Sequence, residues 1–167
     1  MTPIRKILVP VDFSAGSTDA FEYALALATR FEARLEVLHV WEPSPNIPNS
    51  RLAWIDSEPA AFWEQVHTEL TARLDDFVRQ HAGLQAASIT QRVEAGYVAH
   101  SILAAVDHEH YDMVVMGTHG RTGLSHFLLG SIAERVVRLA PCPVLTVRSP
   151  EKKAKLREKS EPKPAQA

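Results

Sequence analysis

Short apolar runs alternate along the chain with longer segments in which apolar residues recur every three or four positions. The apolar runs predict buried strands, and the segments with helical spacing predict amphipathic helices. The predicted strands are Ile4–Val11, Leu35–Val40, Ser88–Val93, Met113–Met116 and Val144–Val147. The first predicted helix begins within Ser14–Ser17 and ends at about Phe31. The other predicted helices are Ala60–Gly83, Tyr97–His110 and Ser131–Leu139. This alternation predicts an α/β fold, with a parallel sheet and helices on both of its faces.

Two segments depart from this alternation. Trp41–Pro59 contains Pro43, Pro45 and Pro48 besides its final proline, and it predicts a long loop of the kind that is usually functional or mobile. Residues 149–167 hold six lysines and arginines against three glutamates and few apolar residues, which predicts a disordered, polar and basic tail. The pattern therefore predicts one domain, residues 1–148, followed by this tail.

Overall composition narrows the class of protein. The formal net charge of −2 gives no indication of a nucleic-acid partner. A lone cysteine, Cys142, excludes an intrachain disulfide. No window approaches the roughly 20 apolar residues that span a bilayer, and the first apolar run is short for a signal-peptide core. We expect a cytoplasmic protein without membrane contact, and no histidine or cysteine spacing predicts a metal-ligand cluster.

The segment Gly117–Ser131 carries the strongest chemical signal, and it begins where the fourth predicted strand ends. Its glycines allow tight turns and leave N–H groups accessible to phosphate oxygens. Ser131 opens a helix, where the dipole favours an anion, and its spacing from Glu134 is that of a capping box. Arg121 offers a cation to the same phosphates. The alternative is that the glycines only form a turn and a helix cap.

The spacing Gly-x2-Gly-x9-Gly-Ser, present as Gly117, Gly120, Gly130 and Ser131, resembles the ATP-binding signature of universal stress proteins. Other segments are similar to strands of that family, namely Ile7–Ser14, Leu38–Val40, Tyr111–Gly117 and Pro141–Val147. One departure is Gly96-Tyr97-Val98, where the family usually has a proline in the third position. The resemblance covers residues 4–148 and implies a Rossmann-like nucleotide-binding fold with five parallel strands in the order 3-2-1-4-5.

The same resemblance implies a site for ATP, with Mg²⁺ at the phosphates. Pro10 and Val40 would line the adenine pocket, Asp12 would lie near the ribose or the metal, and Met116 would pack near the nucleotide. The backbone that would wrap the ribose and phosphates belongs to Gly117, Thr118, His119, Gly120, Arg121, Thr122 and Gly123. Gly130, Ser131 and Ile132 would hold the phosphate end. Asp12 has an additional interpretation from its position, as the N-cap of the first helix.

The function implied by the resemblance is an ATP-binding module in stress response or signalling, acting through an unidentified protein partner. The alternative is a slow ATPase or phosphotransferase. Against it, the glycine segment lacks a Walker lysine and no general base or carboxylate pair stands beside it, so no catalytic residue is assigned. A receiver domain would need an acidic cluster beside Asp12, and a dinucleotide oxidoreductase would need Gly-x-Gly-x-x-Gly after the first strand.

Two further expectations concern assembly and the loop glycines. The last strand, Val144–Val147, lies at the sheet edge in the implied order, and pairing with a second copy would give a homodimer. Valine in place of Gly117 or Gly130 is predicted to abolish nucleotide binding while the fold survives, because a side chain would block the approach of phosphate to the backbone.

Overall fold

A five-stranded parallel sheet in the order β3-β2-β1-β4-β5 forms the centre of the computed structural model, which describes residues 3–42, 60–118 and 129–148. The strands are β1 (Lys6–Pro10), β2 (Arg34–Trp41), β3 (Thr90–Ala95), β4 (Met113–Gly117) and β5 (Val144–Val147). The helices are α1 (Ala15–Phe31), α2 (Ala60–Ala82), α3 (Val98–Glu109) and α4 (Ser131–Leu139). The predicted fold class and strand order are confirmed.

Element boundaries differ from the predicted ones by a few residues. The first strand is shorter than Ile4–Val11, although the Val11 N–H still donates to the Leu38 carbonyl across 2.9 Å. The third strand begins at Thr90 because Gly83–Ser88 form a 3₁₀ turn after α2. Gly83 has a φ of +55°, a left-handed conformation that favours glycine and that stops the helix at this point.

Apolar side chains pack on both faces of the sheet. Because successive side chains of a strand point to opposite faces, Ile7 and Val9 enter one core and Leu8 enters the other. The first core, beneath α1 and α2, includes Phe21, Val37, Leu74, Val78 and Val115. The second, beneath α3 and α4, includes Leu38, Ile102, Val106, Val114 and Val136. Burial on both faces explains why the strands read as continuous apolar runs.

Charged residues gather at the amino end of the sheet. The Lys6 ammonium lies 2.8 Å from the Glu109 carboxylate, the Arg92 guanidinium pairs with Glu109, and Arg92 Nε lies 3.2 Å from Glu36. We call these four residues the amino-end ion cluster. A hydrogen bond from Lys6 lowers the pKa of Glu109 below its ordinary value, burial opposes this shift, and Arg92 strengthens it. The cluster ties the last turn of α3 to three strands.

Asp112 joins the starts of two neighbouring strands at the same end. Its Oδ2 accepts hydrogen bonds from the backbone N–H groups of Arg5 and Lys6, at 2.8 and 2.9 Å. Its own N–H donates to the Lys6 carbonyl, at 2.9 Å. The carboxylate therefore holds β1 and β4 in register.

Several predictions fall outside the described residues. They concern most of the loop Trp41–Pro59, of which only Trp41 and Glu42 are described, and the tail 149–167. Within the described ranges, no helix is both long and apolar enough to cross a membrane.

Candidate functional site

A cavity of about 470 Å³ opens at the carboxyl end of the sheet. The ends of β1, β2 and β4 and the first turns of α3 and α4 form its walls. In parallel α/β sheets, ligands bind at this end, where the strand order reverses. Here the reversal falls at β1, which lies between β2 and β4. The volume is within the range of small-molecule sites.

The cavity brings together predicted site residues from four separate parts of the chain. Its lining includes Pro10, Asp12, Val40, Met116, Gly117, Thr118, Gly130, Ser131 and Ile132. The other predicted residues, His119, Gly120, Arg121, Thr122 and Gly123, lie outside the described residues, so their roles stay predictions. The fold thus unites every predicted site residue that the structure describes.

Other lining residues were missed by sequence reasoning. They include Ser17 on α1, His39 on β2, and Val98 and Ile102 on α3. Trp41 and Glu42 also line the cavity, as expected for residues that directly follow the second predicted strand. The position of Val98, three residues after the end of β3, could have indicated it, because residues that follow parallel strands gather at one end of the sheet. Ile102 gave no such signal, since its spacing marks it only as a core residue of an amphipathic helix.

One wall of the cavity is apolar. Leu38 and Ile102 are fully buried, and Val40 and Met116 are 8% and 5% exposed. These four side chains belong to the core beneath α3 and α4, so the packing of that core holds them in place. A flat apolar group such as a heteroaromatic base can pack against this wall.

A tight turn after β1 presents Asp12 to the cavity. Asp12 Oδ1 accepts hydrogen bonds from the Ser14 N–H, at 3.1 Å, and from the Ser14 hydroxyl, at 2.6 Å. Ser14 is the N-cap of α1, and its Oγ accepts from the Ser17 N–H. The interpretation of Asp12 as the N-cap is therefore wrong. The turn places Asp12 two residues ahead of the cap, at the cavity wall.

Two helices begin at the cavity without a side-chain cap. α4 has Gly130 as its N-cap, and the Gly130 carbonyl accepts from the Glu134 N–H at 2.8 Å. Ser131 is the first helical residue, so the predicted capping box of Ser131 with Glu134 is wrong. α3 has Tyr97 as its N-cap, also without a side-chain hydrogen bond. Their first-turn N–H groups and dipoles create a positive potential that favours an anion.

Gly117 is required by packing within the protein. A Cβ atom built on Gly117 would lie 2.9 Å from the backbone oxygen of Gly16 in the first turn of α1. Backbone atoms cannot swing away as a flexible side chain can, so any side chain at Gly117 would push α1 off β4. We therefore expect Gly117→Val to destabilise the fold, so a loss of nucleotide binding in this variant would not by itself report contact of Gly117 with phosphate.

The charged side chains described at the cavity lining are acidic. Among the lining residues that the structure describes are the carboxylates of Asp12 and Glu42, and no lysine or arginine. Within the described ranges, no group of three potential metal ligands is present. An anionic ligand would therefore need the helix N-termini, a cation that it carries itself, or a side chain such as Arg121 from the segment that is not described.

Comparisons with known proteins agree on one family. Residues 3–148 match the universal stress protein family. The chain is 32% identical over 151 residues to universal stress protein MJ0531 of Methanocaldococcus jannaschii, covering 89% of this chain and 84% of that protein.

Solved structures share the fold. Hypothetical protein MJ0577 has a TM-score of 0.71 at 24% identity, covering 88% of this chain and 97% of that one. A universal stress protein solved in complex with cAMP has a TM-score of 0.62 at 20% identity, covering 89% of this chain and 99% of that one.

Proposed function

The chain belongs to the universal stress protein family, and from this premise we propose that it binds ATP, carried with Mg²⁺, in the cavity at the carboxyl end of the sheet. The strongest support for this proposal is that three different kinds of surface meet at one cavity. An apolar wall, the Asp12 carboxylate and two uncapped helix N-termini meet at one cavity of about 470 Å³. Base, ribose and phosphate each need one of these three kinds of surface.

The base lies on the apolar wall in this proposal. Val40 and Met116 pack against its faces or edges, and the backbone after β2 offers hydrogen bonds to its polar rim. Asp12 accepts hydrogen bonds from ribose hydroxyls or from water on the metal. The turn with Ser14 supports this role, because it fixes the direction of the carboxylate before the nucleotide arrives.

The phosphates lie at the start of α4. Ser131 and Ile132 line the cavity, and the first N–H groups of the helix have no side-chain cap competing for them. Bound Mg²⁺ would neutralise part of the phosphate charge beside the acidic side chains. Mg²⁺ is commonly held by one or two carboxylates together with phosphates and waters, and the lining residues Asp12 and Glu42 suit that chemistry.

A family member of the same fold was solved with cAMP, which is an adenine nucleotide. That complex supports the proposal for the base and the ribose. A cyclic monophosphate carries one negative charge, so it would gain little from Mg²⁺, whereas a triphosphate would gain much. The dependence of affinity on Mg²⁺ therefore distinguishes ATP from cAMP as the ligand.

The test is calorimetric titration of the full chain with ATP, AMP and cAMP, each with Mg²⁺ and with a chelator, beside a phosphate-release assay. We expect ATP with Mg²⁺ to bind at least about tenfold more tightly than ATP in chelator. Phosphate release should be slower than about 1 s⁻¹, below ordinary enzyme turnover. Tighter binding of cAMP than of ATP would overturn the ATP assignment, and faster release would favour the ATPase alternative.

We further propose that the nucleotide acts through partners in the cytoplasm, where ATP is available, and that the chain pairs with itself along β5. The Pro143 carbonyl accepts from the N–H of Val114 in β4, and the Val147 carbonyl accepts from the N–H of Thr118, the residue after β4, each across 3.0 Å. Because backbone groups alternate in side along a strand, the N–H and C=O groups of Val144 and Thr146 point to the outer edge of the sheet, whereas those of Leu145 face β4. Such an edge is a template for a second strand.

Thr146→Pro tests this pairing, because it removes an outward-pointing donor and leaves the hydrogen bonds to β4 in place. Light scattering at micromolar concentration should give twice the chain mass for the parent protein and for Thr146→Val, which keeps the N–H. The proline variant should give one chain mass. A monomeric parent would rule the pairing out, and a dimeric proline variant would place the interface elsewhere.

A further inference from the structure

Phe13, which follows Asp12 in the turn after β1, adopts a backbone conformation that bulky residues avoid. Its φ is +63°, in the left-handed region that favours glycine. Strained residues of this kind persist only where their surroundings hold them, and they gather at functional sites. Phe13 does not line the cavity, whereas Asp12 beside it does.

The surroundings that hold Phe13 come from two other elements. Its ring lies 4.4 Å from the His39 ring of β2, measured between centroids, and 5.7 Å from Phe77 of α2 in an edge contact. The guanidinium carbon of Arg73, also on α2, lies 4.4 Å from the Phe13 ring centroid. This is the geometry of a cation–π contact. The Phe13 ring thus packs between the end of β2 and α2.

The backbone on the other side of Asp12 is also held by His39. His39 Nδ1 lies 2.8 Å from the Val11 carbonyl oxygen, and the imidazole is buried. A carbonyl oxygen only accepts hydrogen bonds, so Nδ1 carries the proton and donates it. His39 therefore contacts the residue before Asp12 through a hydrogen bond and the residue after it through its ring.

We propose that Phe13 is a positioning residue for Asp12, and that Arg73 on α2 acts through it to set nucleotide affinity; this rests on the proposed ATP site. With the ring held, the strained turn keeps the Asp12 carboxylate at the cavity. Without the ring, the backbone relaxes toward ordinary φ values and the carboxylate turns away. Helix α2, whose Arg73 does not line the cavity, then influences binding at a distance.

A double-mutant cycle on the full chain tests this, with ATP and Mg²⁺ as the probe and calorimetry as the readout. Phe13→Ala should lower affinity about tenfold in the parent protein and less than about twofold in an Asp12→Asn background. Phe13→Tyr keeps the ring and should restore affinity. A merely structural role would lower affinity by the same factor in both backgrounds, and that result would overturn the proposal.

Arg73→Gln provides a second variant that folds safely, since Arg73 is exposed on the helix surface. We expect a loss of roughly threefold in affinity that also vanishes in the Asp12→Asn background. The matched control is Arg79→Gln on the same helix, whose guanidinium pairs with Asp75. An equal loss from both arginine variants would overturn the role of Arg73. A parent protein that binds no ATP would overturn the proposed function as well, whereas additive effects in a parent that binds would overturn this inference alone.

Discussion

Asp12 and Asp112 each stand beside a buried strand, yet they lie at opposite ends of the sheet. Asp112 precedes β4, and its carboxylate accepts hydrogen bonds from the N–H groups of Arg5 and Lys6. Asp12 follows β1, and its carboxylate is oriented by Ser14 toward the wall of a cavity. Position before or after a strand therefore separates an aspartate that joins strands from one that lines a cavity.

The same contrast applies to the two ends as wholes. At the amino end, Lys6 pairs with Glu109, and Arg92 pairs with Glu36 and Glu109, so opposite charges meet one another at a partly buried position. At the carboxyl end, the described lining carries carboxylates, and two helix N-termini lack side-chain caps. The polar groups at the amino end therefore pair with one another, whereas those at the carboxyl end face a cavity.

The largest expected effect separates the two glycines of the predicted loop. Gly117→Val should lower the unfolding free energy by about 3 kcal/mol, because the side chain overlaps the Gly16 backbone. For a chain of this length the melting temperature then falls by roughly 10 °C. Gly130→Val should change the melting temperature by less than about 2 °C, since its φ of −60° and ψ of 148° suit any residue.

We nevertheless expect Gly130→Val to abolish ATP binding, because Gly130 lines the cavity at the proposed phosphate end. Thermal melts by circular dichroism and titration with ATP measure the two effects separately. Equal melting temperatures for both valine variants would contradict the packing explanation for Gly117.

The two aspartates give the next largest effect. Asp12→Asn keeps an acceptor for Ser14, so the fold should remain stable while ATP affinity falls roughly tenfold. Asp112→Asn weakens charge-assisted bonds to two backbone N–H groups and should lower the unfolding free energy by about 1 kcal/mol with unchanged affinity. Urea unfolding and calorimetry measure both. If each variant lost both stability and ATP affinity, the two aspartates would not differ in role, and the contrast between the amino and carboxyl ends of the sheet would be wrong.

A smaller effect concerns the pH dependence of the amino end. The pKa of Glu109 is lower in the folded protein than in the unfolded chain. Its stabilising contribution is therefore present above the unfolded pKa, about 4.3, and is lost as pH falls through the folded pKa. Glu109→Gln should melt below the parent protein at pH 7, and the gap should narrow from about pH 5 to pH 3.

Melts of both proteins across this pH range, with Glu22→Gln on the exposed face of α1 as the control, measure the gap. A gap that stays constant down to pH 3 would show that the Glu109 carboxylate does not stabilise the fold through its charge.

The smallest effect is expected from the tail. Truncation after Ser149 removes the polar segment that follows β5, which supplies no residue to the cavity lining or the ion pairs described above. Melting temperature and ATP affinity should both stay within experimental error of the parent values. A clear loss of affinity would mean that the tail contributes to the cavity.

The spacing of apolar residues along the sequence by itself determined most of the secondary structure and the fold class. Alternating apolar runs and helical stripes predicted the parallel sheet and the gathering of residues such as Asp12 and Val40 at one end, because local spacing decides which side chains can be buried. The resemblance carried by the glycine spacing added the strand order and the expectation of ATP.

Only the tertiary structure decided contacts between distant parts of the chain. It placed Gly117 against Gly16, seated the Arg73 guanidinium over the Phe13 ring, and joined Glu109 to Lys6. Two helix N-caps also differ from the predicted ones: Ser14 is the N-cap in place of Asp12, and Gly130 in place of Ser131. Local propensities leave such choices nearly equal in free energy, so packing against the rest of the fold decides them.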